Sequence, residues 1–385
     1  MLLPLLSIST ALLSLAGFVQ AIPQAIPSRP ASSNTPTRAP ISLAPAATGT
    51  TACNNSPDLC NRNYNNITHM GAHNSAFLRD SATSFSTAGN QFYNASVALS
   101  AGIRLLQAQV HLENGVLRLC HTTCGLLDAG LLVDWLGQIK SWMDANVNEV
   151  VTIILVNSDN QPAATFGSLF ASSGISTYGY TPASTSAATT WPTLQTLIAA
   201  KTRLITFIAS IDYDTTYPYL LPEFNYVFET AFGVLDINGF NCTLDRPSTQ
   251  RSATTALSAG YMGMLNHFLD TDQGLGITVP DVGNLTIVNG PSTSVSGALG
   301  TQGSQCMTEW GVKPTFILVN FFNVGPAMAV ADNLNGIRAV GRTDVSTDVL
   351  TASSKSGGSI QNGRSWFGIA GSAMGVIAIG NFVWM

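Results

Sequence analysis

GLLVDWLGQIKSWMDANVNEVVTIILVNSD, residues 130–159, changes its hydrophobic period halfway along. In its first part Leu132, Trp135, Leu136, Ile139, Trp142 and Met143 recur at helical spacing, which predicts an amphipathic helix with a core-packing stripe rather than a cofactor box. Its second part, VVTIILVN (150–157), is a continuous apolar run of strand length. Strands this apolar, alternating with helices, imply a parallel sheet covered on its outer face.

Similar runs recur outward from this unit. They are ITHMGAH (67–73), IRLLQAQVH (103–111), VLRLCH (116–121), RLITFIAS (203–210), YVFET (226–230), GMLNHF (263–268) and TFILVNFF (315–322). Eight candidate strands in about 300 residues fit an α/β fold of the TIM-type (β/α)8 barrel class, one domain over residues 53–345. In such a barrel the polar residues that close the strands point into the site at the C-terminal face. Here those closings offer His73, Asn74, Gln107, Gln109, His121, Asn157, Asp212, Glu229, Asn266, His267 and Asn320. The stretches 171–190 and 284–305, rich in Ser, Thr and Gly, read as long surface loops.

The chain of 385 residues carries 16 Lys and Arg against 21 Asp and Glu, a net charge of −5, which argues against nucleic acid as a partner. Charged residues are only 10% and hydrophobic ones 45%, and part of that imbalance sits at the ends. Residues 1–21 are an apolar run closing on Ala21, read as a secretory signal peptide. Residues 22–52, rich in Pro, Ala, Ser and Thr, read as a stalk. Residues 346–365 form a linker whose small polar stretch SSKSGGSIQNGRS (353–365) precedes twenty uncharged residues, 366–385. That order is a GPI-attachment signal, so the expected location is extracellular, anchored to the outer leaflet or the cell wall.

Six cysteines in an oxidising compartment predict disulfides, and of fifteen possible connectivities the close spacings favour Cys53–Cys60 and Cys120–Cys124, leaving Cys242–Cys306. A zinc site around His121 is disfavoured in that compartment. Sequons begin at Asn54, Asn66, Asn94, Asn241 and Asn284, candidate glycosylation sites, the first weakened by the proline that follows it.

Histidine titrates in the range that general acid–base chemistry on a phosphodiester requires, and three of the five histidines close candidate strands. The segments THMGAHNSAF (68–77), GIRLLQAQVH (102–111), LRLCHTTC (117–124) and EVVTIILVNSD (149–159) resemble the phosphatidylinositol-specific phospholipase C X-region superfamily. FIASIDYD (207–214), PYLLPEFNYVFET (218–230), CTLDRP (242–247), LNHFLD (265–270) and ILVNFFN (317–323) are similar to its secreted fungal branch, the PLC-like phosphodiesterases. The resemblance covers residues 53–340 and implies a distorted TIM barrel that cleaves phosphodiesters, with His73 as general base and His121 as general acid. It also makes Asn74 a calcium-ligand position, and the substrate-binding candidates are Asn74, Gln107, Gln109, Asn157, Asn320 and the strand-closing His267.

The chain departs from that pattern where charge is required. Gln107 and Gln109 stand where calcium-dependent relatives carry carboxylates, Asn157 where relatives carry Glu or Lys, and Asn320 where fungal relatives often carry Asp. Amides offer dipoles without charge, so calcium, the one cofactor the resemblance implies, would be weakly held. Two function classes therefore follow. One is a monomeric phosphoric diester hydrolase acting on a phospholipid or other small phosphodiester. The other is a catalytically impaired barrel that binds glycan or inositol phosphate at the cell surface. A glycosidase would need a carboxylate pair, and Asp212, Glu229 and Asp236 offer no supported pairing.

Overall fold

The computed structural model describes residues 51–274 and 277–352. The signal peptide, nearly all of the stalk, and the GPI linker and tail beyond residue 352 therefore lie outside the described residues. No helix among the described residues is long and apolar enough to cross a membrane.

The first four strands are β1 (His69–Ala72), β2 (Leu105–Glu113), β3 (Val116–Cys120) and β4 (Asp128–Leu131). Then come β5 (Val151–Asn157), β6 (Leu204–Ala209), β7 (Leu220–Pro222), β8 (Val227–Thr230) and β9 (Leu244–Arg246). The last four are β10 (Met262–Asn266), β11 (Asp270–Asp272), β12 (Thr278–Pro280) and β13 (Phe316–Val319). Neighbours in the main sheet run β7-β6-β5-β2-β1-β13-β10-β8, and every one of these pairings is parallel. The two end strands, β7 and β8, are consecutive in the chain and separated by four residues. Four residues span at most about 14 Å, so the sheet must curl until its ends almost meet. Contacts across the interior agree, since Phe207 on β6 packs on Phe316 of β13 with ring centroids 6.1 Å apart. The result is a distorted (β/α)8 barrel in a single domain.

The barrel departs from the sequence reading at two strands. VLRLCH is not a barrel strand, because β3 pairs antiparallel with β2 and the two form a hairpin standing above the barrel. The eighth barrel strand is the short β7, hidden in PYLLPEFN. Helix α1 (Ala95–Ser100) precedes β2, and α2 (Leu132–Ala145) bears out the expected amphipathic helix, burying Leu132, Trp135, Leu136, Ile139 and Met143. Burying such side chains stabilises by about 1.5–3 kcal/mol each. The reading of 284–305 as one long loop is corrected in part, since residues 285–288 and 299–305 are helical.

Alternation along each strand sorts the side chains. On β1, His69 and Gly71 face inward with the following His73, and a Cβ at Gly71 would lie 2.8 Å from Leu105 and Leu318, so the interior is filled at that level. Outward residues such as Met70, Ala72, Leu106 and Ile153 join the cluster that the helices cover. The seam between β7 and β8 is closed by side chains rather than by a ladder. Strand β9 pairs with β8 on that side, Arg246 and Asn266 both bond Glu229, and Glu223 lies buried beside them. Burial and the neighbouring Glu229 push the Glu223 carboxyl well above the usual carboxylate range.

All three disulfides form as the spacings suggested: Cys53–Cys60, Cys120–Cys124 and Cys242–Cys306.

Candidate active site

His73 follows β1 directly, its N–H continuing the ladder to Val319 O at 3.0 Å. Its Nδ1 lies 2.8 Å from Asn320 Oδ1, and the same oxygen accepts from Asn90 Nδ2 at 3.1 Å. An oxygen receiving both contacts makes Nδ1 the protonated nitrogen and leaves the Nε2 lone pair as the basic one. The imidazole stacks on Phe268, centroids 3.7 Å apart and planes within 3°. Gln91 Nε2 ties His73 O (2.8 Å) to Val319 O (3.0 Å), fixing the backbone behind the ring. Burial depresses the His73 pKa to about 3, opposed by the Asn320 hydrogen bond and assisted by the charge of His121. That last influence marks the two histidines as electrostatic neighbours.

His121 lies just beyond β3, in the ring closed by Cys120–Cys124. Its ring packs edge-on against Phe77 at 5.1 Å, and Phe77 N–H donates to Asn74 O, so one short segment carries the base and a wall of the acid's pocket. Burial pushes its pKa down to about 4. Nδ1 is 3.2 Å from Thr122 Oγ1, and Nε2 has no partner among the described residues.

Asn74 adopts a left-handed backbone (φ 49°), a conformation asparagine tolerates better than most residues, and its Oδ1 is buried without a partner. Asn90 Oδ1 and Asn320 Nδ2 are likewise buried and unpaired. Asn90 and Asn320, each with one such atom, are the side chains that meet His73 Nδ1, and Asn74 is its neighbour in the chain.

The other amides behave differently from their sequence-based roles. Gln107 Oε1 accepts the Asn74 N–H (2.7 Å), Gln109 Oε1 accepts the Thr122 N–H (2.8 Å), and Asn157 Oδ1 accepts the Gln161 N–H (2.9 Å). Asn157 Nδ2 also holds Gln161 O and Ser210 O. Asn157 thus spends both ends of its amide on backbone, while Gln107 and Gln109 spend only their oxygens and keep Nε2 without a partner among the described residues. The same geometry tests calcium. Of the four expected oxygens only Asn74 Oδ1 is unspent, none is anionic, and no metal-binding cluster of acidic, His or Cys side chains occurs among the described residues, so the donor set does not fit the ion.

His267 is corrected as a substrate-binding candidate. It is fully buried, its nitrogens lie against Gln302 Oε1 and Val288 O, and its ring stacks on Phe240, a structural histidine whose pKa burial lowers to about 4. Arg104 spends its guanidinium on Leu99 O, Ile103 O, Asn55 and Glu149, and Arg118 pairs with Asp128. Arg79, in the loop between His73 and Asn90, has no side-chain partner among the described residues and is the cation that loop can offer. Glu229, read as a possible glycosidase acid, is buried against Arg246.

Among the sequons, Asn54 is corrected. It is buried with its amide bonding Val150 N–H and O at 2.7 and 3.1 Å, which leaves no room for a glycan. Asn66, Asn94 and Asn241 are exposed, while the half-buried Asn284 bonds Asp281.

Asn90 and Gln91 were not recognised from sequence. Only their proximity to a left-handed turn after a strand-closing histidine could have flagged them.

Among known proteins, the PI-PLC X family model (PI-PLC X 1) matches residues 59–335, more than half of the chain. The chain belongs to the PI-PLC X family. It is 36% identical over 287 residues to "PI-PLC X domain-containing protein 1" of Arthroderma benhamiae, covering 74% of this chain and 90% of that protein. It is 35% identical over 321 residues to an "Uncharacterized secreted protein" of the same fungus, covering 80% and 70%. The phosphatidylinositol-specific phospholipase C of Listeria monocytogenes overlays with a TM-score of 0.43 at 15% identity, covering 72% of this chain and 96% of that one. A likeness of that size transfers no residue's role.

Proposed function

We propose that this PI-PLC X family member is an extracellular phosphodiesterase in which His73 is the general base and His121 the general acid. The observation that carries it is the Asn320–His73 hydrogen bond, which fixes the tautomer with a bare Nε2 while a second histidine lies within electrostatic reach. His73 Nε2 takes the proton of the attacking hydroxyl, and His121 in its imidazolium form, which its lowered pKa of about 4 favours only in acid, gives its Nε2 proton to the leaving oxygen as the P–O bond breaks. Asn320 Nδ2 and Asn74 Oδ1 are the unspent polar atoms for substrate, and the half-buried Arg79 is the charge available to offset a phosphate. The substrate class is a phospholipid or small phosphodiester. Secretion agrees with the name of one fungal relative and with three disulfides, and GPI anchoring, glycosylation at Asn66, Asn94 and Asn241, and a monomeric state belong to the same reading.

The test is turnover of phosphatidylinositol, lysophospholipid and glycerophosphodiester by the secreted full chain. Hydrolysis that falls at least about a hundredfold in both H73A and H121A supports the reading. Hydrolysis indifferent to His73, or none with any of the three substrates, overturns it.

A second reading is favoured by the amides at positions 107, 109 and 157, whose oxygens are committed to backbone. A barrel without ions beside the phosphate would bind glycan or inositol phosphate without cleaving it. Calorimetric binding in the absence of product would establish that reading.

A further inference from the structure

The Cys120–Cys124 ring spans a sequence separation of 4, against 7 and 64 for the other two bridges. A loop this short removes the least freedom from the unfolded chain, so its contribution to stability is the smallest of the three. What it encloses is His121. Inside the ring His121 N–H donates to Leu127 O at 2.9 Å, and its carbonyl accepts from Thr123 N–H at 2.6 Å. Thr122 is held at φ 59°, a left-handed conformation that a β-branched residue rarely adopts and that persists only where its surroundings impose it. The imposing contact from outside the ring is Gln109, whose Oε1 receives the Thr122 N–H. Cys120 is fully buried at the end of β3, directly across the hairpin from Gln109 in the register that pairs Val110 with Leu119.

We infer that the Cys120–Cys124 ring and Gln109 together form a clamp that holds His121 where it can donate its proton, making Gln109 and the two cysteines positioning residues. The inference rests on the role of His121 proposed above. What the clamp requires of position 109 is an acceptor oxygen for the Thr122 N–H. The proton passes from His121 Nε2 to the oxygen that leaves phosphorus, a transfer that matters most when the leaving group is a poor one, such as an alkoxide, and least when it is a stable phenolate.

That dependence supplies the test. The full-length chain is assayed as wild type, H121A, C120A/C124A, Q109L and Q109E, with an alkyl phosphodiester and its 4-nitrophenyl counterpart. Opening the ring or removing the Gln109 acceptor should lower kcat on the alkyl ester about tenfold or more, with KM within about twofold, and change kcat on the nitrophenyl ester less than about threefold. Q109E keeps the acceptor and should restore most of the alkyl-ester rate with a pH profile shifted upward. Equal losses on both esters, or none on the alkyl ester, overturn the clamp. If the wild type hydrolyses neither ester, the functional reading fails by itself. The clamp is then read by proton NMR titration of His121: a pKa rising toward the free value in C120A/C124A and Q109L supports it, and an unmoved pKa overturns it.

Discussion

His69 and His73 stand on the same face at opposite ends of β1, four residues apart, and the barrel treats them in opposite ways. At the N-terminal end the His69 ring is sandwiched near Tyr64 and Phe316, its Nε2 bonded to Tyr64 O at 3.0 Å. The polar groups around it are spent on structure: Asn54 on Val150, Arg104 on Asn55 and Glu149, and Asn335 on Thr68 and Lys313. At the C-terminal end His73 keeps Nε2 unbonded, and Asn90 and Asn320 at its Nδ1 and Asn74 next in the chain each keep one unpaired buried atom. Burial lowers both pKa values, to about 4 and about 3, so proton affinity does not separate them. Hydrogen-bonding capacity left over does.

Substitution should break this pair cleanly. His73→Ala is expected to lower kcat by about 10²–10⁴ with little change in Tm. His69→Ala should leave the activity per folded molecule unchanged and cost about 2–4 kcal/mol in denaturant unfolding, since it opens a hole among buried aromatics. If His69→Ala abolished turnover in a protein of normal stability, the division between the two ends would be wrong.

A subtler change sharpens the C-terminal side. Asn320→Asp keeps the hydrogen bond to Nδ1 and adds a negative charge, which favours the imidazolium and raises the His73 pKa by about 1–2 units. The limb of the pH–rate profile governed by the base should move upward by that amount. An unmoved limb would mean that His73 is not the group being titrated.

Acid stability measures the structural histidines. His267 has a folded pKa of about 4, below its unfolded value, so its contribution is fully present above pH 6.5 and is lost as pH falls through 6.5 toward 4. Between pH 7 and pH 5 it should cost the wild type about 2 kcal/mol that His267→Gln does not lose. Asp270, raised to about 6 by burial and Asp281, acts with the opposite sign but is common to both proteins. Equal pH slopes in the two proteins would contradict the burial argument. The smallest effect concerns metal: with three of four candidate oxygens already bonded to backbone N–H groups, EDTA should change turnover by less than about twofold, and a larger loss would restore calcium to the site.

Much of the architecture was legible because a buried parallel strand leaves an unbroken apolar run, as in VVTIILVN, and the histidines that close such runs were found. The misplaced strand had a readable signal too. Asn114 and Gly115, at φ 51° and 80°, join β2 to β3, and an Asn-Gly pair between alternating strands announces an antiparallel hairpin rather than a barrel crossover. Strand β7 offered no signal, since three residues ending in proline have no period. The roles of Gln107, Gln109 and Asn157 were illegible for a different reason. Residue type shows that an amide can bind a ligand, but only the fold shows that a backbone N–H has already claimed its oxygen.

The seam at β7 and β8 gives the barrel something a fully laddered ring lacks, a place to begin coming apart. With no hydrogen-bonded rungs between those strands, separation there breaks no backbone ladder, and Glu223, whose carboxyl burial and Glu229 push well above the usual range, favours the closed seam less as the surroundings become alkaline. Backbone amides of Leu220 and Leu221, on a β7 strand laddered to β6 alone, should take up deuterium ahead of those at the β1–β13 junction, and faster at higher pH than intrinsic exchange alone accounts for.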